Sequence, residues 1–145
     1  MGRFRTNTGV IMKIYVAGPM KGIPQFNYPA FDAAAKKLRA KGIEVLSPAE
    51  MDEPETRKAA LASKDGSMKD MTTGETWGDF LSRDVKIVAD ECDGVVVLDN
   101  WYRSRGARLE CFIAVNCNKP VYNIDLQELN PYTITAAIME NTVNG

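Results

Sequence analysis

Two carboxylates stand where their neighbours leave little room for water. Residues 109–115 read Leu-Glu-Cys-Phe-Ile-Ala-Val, and Glu110 is the only charge among them. It falls inside 104–118, "SRGARLECFIAVNCN", whose pattern predicts a helix; there it shares a face with Ala107, Ala114 and Cys117. A helix that is apolar all round is a buried one. The second carboxylate is Asp84. In 76–92 the apolar residues Trp77, Phe80, Leu81, Ile87, Val88 and Cys92 form a stripe with helical spacing, and Asp84 lies in its middle. Leaving a carboxylate buried without a partner costs several kcal/mol, comparable to the whole stability of a small domain. A purely structural account pairs each acid with a neighbouring arginine or hydroxyl, Arg105 and Arg108 being the arginines at hand, or places it at a helix end that projects beyond the sheet. The chemical account makes them a nucleophile and an acid–base group. The chain contains no histidine. That removes Ser-His-Asp and Cys-His catalysis and every histidine-based zinc site, and leaves Asp, Glu, Tyr, Lys or Cys to do such work.

Two segments could serve these acids. "YRSRGAR" (102–108) offers Ser104, Arg105 and, at Gly106, free backbone N–H groups to an anion at the start of a helix; its plain alternative is a solvated basic turn. "AGPMKG" (17–22) follows an apolar run. Gly18, Pro19, Met20 and Gly22 could let the backbone approach a ligand, or could simply make a turn. The segment is neither a dinucleotide fingerprint nor a phosphate-binding P-loop.

The elements that must position these residues alternate between strand and helix. "MKIYVAG" (12–18) predicts a buried strand, 27–42 a helix with Phe31, Ala34, Ala35 and Leu38 inside and Gly42 as its stop, and 43–48 a second strand ended by Pro48. This βαβ unit makes the strands parallel. Residues 50–74 are polar and rich in charge, Gly and Met; a short helix near 54–63 and then a long loop are expected, either a lid or a disordered connection. A helix over 76–92, a strand within 93–101, a helix over 104–118, a strand over 119–125 and a helix over 131–143 opened by Pro131 complete the series. The fold class is α/β: a single-domain, doubly wound, flavodoxin- or Rossmann-like parallel sheet with flanking helices, over 12–145. Helix N-termini meet the carboxyl edge of such a sheet, where α/β proteins bind ligands, and Glu110 belongs in the second turn of its helix.

The rest of the composition is permissive. At 145 residues, 45% apolar and 26% charged, the chain reads as one soluble domain. A net charge of −1 gives no reason to expect a nucleic-acid polymer or a membrane surface as partner. No apolar run approaches the roughly 20 residues that span a bilayer. Residues 1–11 lack the apolar core of a signal peptide and are expected to be a flexible extension. The cysteines, Cys92, Cys111 and Cys117, are odd in number, form no C-x-x-C pair and are expected in the core of a reduced, cytoplasmic protein.

Three motifs stand in order: "IYVAGPM…FNYPAF", then "SRDVKIVADECDGVVVL", then W-x-x-S-R-G-A-R-L-E. Across roughly 12–125 the chain resembles the nucleoside 2-deoxyribosyltransferase superfamily, and most of all its small subgroup known as DUF4406. The resemblance implies that Glu110, closing the S-x-G-x-x-x-E motif, is the nucleophile, with Asp84 and Tyr15 completing the catalytic set. It implies that Ser104, six residues before the nucleophile, contacts the sugar or its 5′ group, and a serine there tilts the reading towards a phosphorylated ligand. Trp77 lies in the segment expected to recognise the base. The implied reaction is cleavage of the N-glycosidic bond of 2′-deoxynucleosides or their 5′-monophosphates through a glutamyl–deoxyribosyl intermediate, with no cofactor and no metal, in a homo-oligomer. The alternative is a catalytically silent nucleotide-binding module of the same fold.

Overall fold

The computed structural model describes residues 11–71 and 74–144. In chain order its elements are β1 (Lys13–Ala17), α1 (Tyr28–Arg39), β2 (Glu44–Leu46), α2 (Pro48–Met51), α3 (Pro54–Ala62), α4 (Trp77–Asp90), β3 (Gly94–Val97), α5 (Arg105–Asn116), β4 (Val121–Tyr122) and α6 (Pro131–Asn144). The four strands form one parallel sheet in the order β2–β1–β3–β4. Tyr15, in the middle of β1, stands beside Leu46 on one side and Val95 on the other.

The sheet grows from β1 in two directions, and right-handed crossovers then send the connecting helices to opposite faces. The core divides accordingly. On one face Ile14, Val16, Val96 and Leu98 pack against Phe31, Ala35 and Leu38 of α1. On the other, Tyr15, Ala17, Val95 and Val97 pack against Ile87 and Val88 of α4 and Cys111 and Ala114 of α5, and α6 adds Ile134 and Ile138. Alternate residues of β1 serve the two faces, as the pleat requires. Tyr15 therefore points towards the helices that carry Asp84 and Glu110. The doubly wound α/β architecture is the one expected.

The local departures have local causes. The second strand stops at Leu46, because Ser47 and Pro48 open the short helix α2 and do not merely end the strand. The strand expected over 119–125 is reduced to two residues. Asn123 turns the chain, its side-chain oxygen accepting the N–H groups of Asp125 and Gln127. Cys92 and Cys111 are buried as expected, but Cys117 is exposed; it caps the end of α5, beyond the covered stretch of the helix. The expectation of a flexible 1–11 extension falls almost wholly outside the described residues. Within 64–71 the chain is seated on the segment after β1. Gly22 N–H donates to Gly66 C=O at 2.8 Å. A Cβ on Gly66, whose φ is +67°, would stand 2.3 Å from the Ile23 carbonyl oxygen, so only glycine fits. Among the described residues no helix is long and apolar enough to cross a membrane.

Candidate active site

A cavity of about 1110 Å³ opens at the carboxyl ends of β1 and β3. Those are the two strands between which the direction of the sheet reverses, the position where doubly wound folds hold ligands. Glu110 and Asp84 both line it.

Glu110 is placed by α5. Ser104 starts that helix by accepting the Ala107 N–H on its hydroxyl at 3.2 Å, so Glu110 comes in the second turn on the face that also buries Ala107 and Ala114. It is 6% exposed. Its Oε2 accepts the Tyr15 hydroxyl at 2.5 Å. No lysine or arginine bonds it among the described residues. Tyr15 is fully buried and lies behind Glu110, outside the cavity lining. Burial pushes the Glu110 carboxyl up to about 8, and the negative charge of Asp84 adds to this; the Tyr15 hydrogen bond and the more distant Arg83 pull the other way. Burial and the Glu110 charge keep the Tyr15 phenol protonated, so it remains a donor.

Asp84 is placed by α4, whose start is fixed by a capping box. Thr76 accepts the Asp79 N–H at 3.1 Å, and Asp79 accepts the Thr76 N–H at 2.8 Å. The stripe of this helix then divides. Ile87, Val88 and Cys92 are core, whereas Trp77, Phe80 and Leu81 line the cavity. Asp84 sits between the two halves, 8% exposed, and accepts Arg83 Nε at 2.8 Å. Arg83 also donates through Nη1 to Asp52 at 2.6 Å, and Asp52 accepts the Tyr28 hydroxyl. Burial raises the Asp84 carboxyl from its ordinary value despite its bond to Arg83.

The acids do find a neighbouring arginine and a hydroxyl, Asp84 taking Arg83 and Glu110 taking Tyr15, but neither takes Arg105 or Arg108. Arg108 donates to the Tyr102 carbonyl at 3.0 Å, and Arg105 lies over the Trp77 ring, 4.7 Å from its centroid. Arg105 and Trp77 occupy the first positions of α5 and α4 and line the mouth of the cavity together with Ser104 and Gly106. Gly18, Pro19, Met20 and Gly22 line it from the β1 side. The missing side chain of Gly18 has a packing reason as well: a Cβ there would meet the Leu98 side chain at 2.8 Å. Pro19 accepts Asn27 Nδ2 at 2.9 Å, and Met20 also packs against the α1 side of the core. The candidate catalytic and ligand-binding residues thus converge on this cavity, Tyr15 from behind it, whereas Arg108 does not line it.

Arg83, Asp52 and Tyr28 were missed. Tyr28 sits in "FNYPAF" and Arg83 in "SRDVKIV", but neighbours at i and i+1 do not share a helix face, so the pattern hides an arginine that folds back onto the next residue. Asp52 lies 31 positions from Arg83, and no local spacing joins them. Chemically, the floor combines a proton-bearing glutamate, an anchoring phenol and an aspartate tied to arginine, while the mouth offers a cation, an indole and a helix N-terminus. No curated protein matches the chain. A family model does, over residues 12–123, and on that match the chain belongs to the family described as a domain of unknown function, DUF4406.

Proposed function

We propose that the protein cleaves the N-glycosidic bond of 2′-deoxynucleosides or their 5′-monophosphates, with Glu110 as nucleophile. The observation that carries this reading is a glutamate at the floor of a ligand-sized cavity, 6% exposed and held by the Tyr15 hydroxyl at 2.5 Å, with no bonded cation among the described residues. A carboxylate so placed is unfavourable at rest and is stabilised by a neighbour that develops positive charge, as C1′ does when its bond to the base breaks. In the first step the C1′–N bond breaks and its electron pair leaves with the base. A Glu110 oxygen bonds to C1′, and the base takes up a proton from solvent, a transfer that Asp84 assists, or Asp84 positions the nucleophile. In the second step water, or another base, attacks C1′ and frees the Glu110 carboxylate; the attacking group loses its proton to Asp84 or to solvent. The absent 2′-hydroxyl makes the sugar ionise more readily, so few groups suffice. The motifs shared with the nucleoside 2-deoxyribosyltransferase superfamily support the same assignment of Glu110, Asp84, Tyr15 and Ser104.

The mouth fits the monophosphate. Arg105 and the N–H groups at the start of α5 are anion ligands, and Trp77 is a stacking surface for a base. The reading also includes self-association. Leu109 and Phe112 of α5 and Tyr132, Met139 and Val143 of α6 are exposed in the single chain, Phe112 by 46%. A monomeric mass at micromolar concentration would count against that part.

The test is incubation with each deoxynucleoside and its monophosphate, with and without an acceptor base, followed by chromatography of free base. Base release that Glu110→Ala abolishes supports the proposal. One observation favours the silent binding module: a carboxyl pushed up to about 8 is largely protonated at neutral pH before ligand arrives. Binding of a monophosphate with no release at any pH up to 9 would establish that reading in its place.

A further inference from the structure

The cavity wall holds a polar chain of which the proposed chemistry uses only the last member, Asp84. It runs Tyr28–Asp52–Arg83–Asp84 and draws on α1, the residue after α2, and α4. All four residues line the cavity. The Asp52 side chain is 5% exposed, that of Asp84 11% and that of Arg83 27%, so water screens these charges poorly.

Resting on the reading above, we propose that Arg83 is a positioning residue. Its guanidinium clamps Asp84 to Asp52, and so fixes the negative charge of Asp84 beside Glu110 and braces it, through Asp52, against Tyr28 of α1. Three features carry this. The fork is used in two directions at once, Nε on Asp84 at 2.8 Å and Nη1 on Asp52 at 2.6 Å, which a single ammonium cannot reproduce. The far end is itself anchored, because Asp52 also accepts the Tyr28 hydroxyl, and Tyr28 is fully buried at the start of α1. The guanidinium is further seated over the Phe80 ring, 5.8 Å from its centroid, which limits its other rotamers. A buried bridge of this kind adds little net stability. Its consequence is therefore where the Asp84 charge sits. The groups facing that charge are Arg83 on its own helix, Asp52 after α2, Glu110 on α5 and Tyr15 on β1. Of these Arg83 alone is cationic, so without it Asp84 keeps only negative or neutral neighbours and holds its proton to higher pH.

The experiment uses the full chain with carbon-13-labelled carboxyl groups, the Asp84 signal being the one lost in Asp84→Asn. In Arg83→Gln the Asp84 titration is expected to move up by at least about one pH unit, and in Arg83→Lys in the same direction by less. Lysine keeps the charge, so it serves where glutamine prevents folding. On deoxynucleoside monophosphates, Arg83→Lys is expected to lower kcat about 10-fold with KM nearly unchanged, because the charge survives but its position does not. An Asp84 titration unmoved in a folded Arg83 variant overturns the clamp, whether or not the wild type releases base. A wild type that releases no base, with the titration moved as expected, keeps the clamp and removes only the glycosidase reading.

Discussion

The floor and the mouth of the cavity are built from the same two helices and treat charge in opposite ways. At the floor, Glu110 is 6% exposed, has no bonded cation among the described residues and is driven towards its protonated form. At the mouth, Arg105 rests on Trp77, which is 37% exposed, and its charge faces solvent. The difference is one of dielectric. A buried carboxylate interacts strongly with whatever charge comes near it, whereas a cation at a wet rim attracts an anion modestly and is screened by salt. On the proposed function the floor is the place for bond breaking and the mouth the place for selection.

Changes at the floor carry the largest expected effects. Glu110→Gln should lower base release by on the order of 10³-fold or more, measured as kcat on a deoxynucleoside monophosphate. A variant retaining a tenth of wild-type activity would move the nucleophile elsewhere. Tyr15→Phe should cost about 10- to 100-fold. It should also shift the pH dependence, because the phenol stabilises ionised Glu110. Wild-type kcat/KM should rise with pH through about 8, as the nucleophile must be ionised, and in Tyr15→Phe that rise should begin at higher pH.

Stability offers an activity-independent check on the floor. The folded Glu110 carboxyl binds its proton more tightly than the unfolded one, about 8 against 4.5. Its stabilising contribution is therefore complete below pH 4.5 and is lost as pH rises towards 8, by up to about 1.4 kcal/mol per pH unit. Asp84 is raised too and acts with the same sign. Thermal midpoints should fall between pH 5 and pH 8 in the wild type and fall much less in Glu110→Gln. An identical slope in both would erase the contrast between floor and mouth.

The smallest effects belong to the mouth. Arg105→Ala should raise KM for a monophosphate about 10-fold, leave KM for the free deoxynucleoside nearly unchanged and weaken the salt dependence of the former. Equal losses on both substrates would mean that Arg105 acts through Trp77 and not on the phosphate.

How far the sequence reached depended on the range of each interaction. Asp84 and Glu110 were legible because helical spacing alone puts them among covered residues. Ser104 was legible as the start of α5, and Tyr15 through the motif that contains it. The short strands were over-read: Pro48 starts α2 as well as ending β2, and Asn123 bends the chain two residues into β4. Cys117 was misplaced because α5 loses its cover at its last turn, which periodicity cannot sense. The two-way pairing of Arg83 left no trace in the pattern.

By itself the sequence determined the alternation of strand and helix, the parallel sheet that follows from it, and the presence of two carboxylates on apolar helix faces. Those are consequences of local periodicity and of connection rules that act within one or two elements. Only the tertiary structure decided which charges meet: that Glu110 takes Tyr15 and no arginine, that Asp84 takes Arg83, and that Arg105 turns to Trp77. The physical reason is that long side chains choose partners in space, across distances in sequence that no pattern spans. The energy of each choice depends on how much water the finished fold leaves around it.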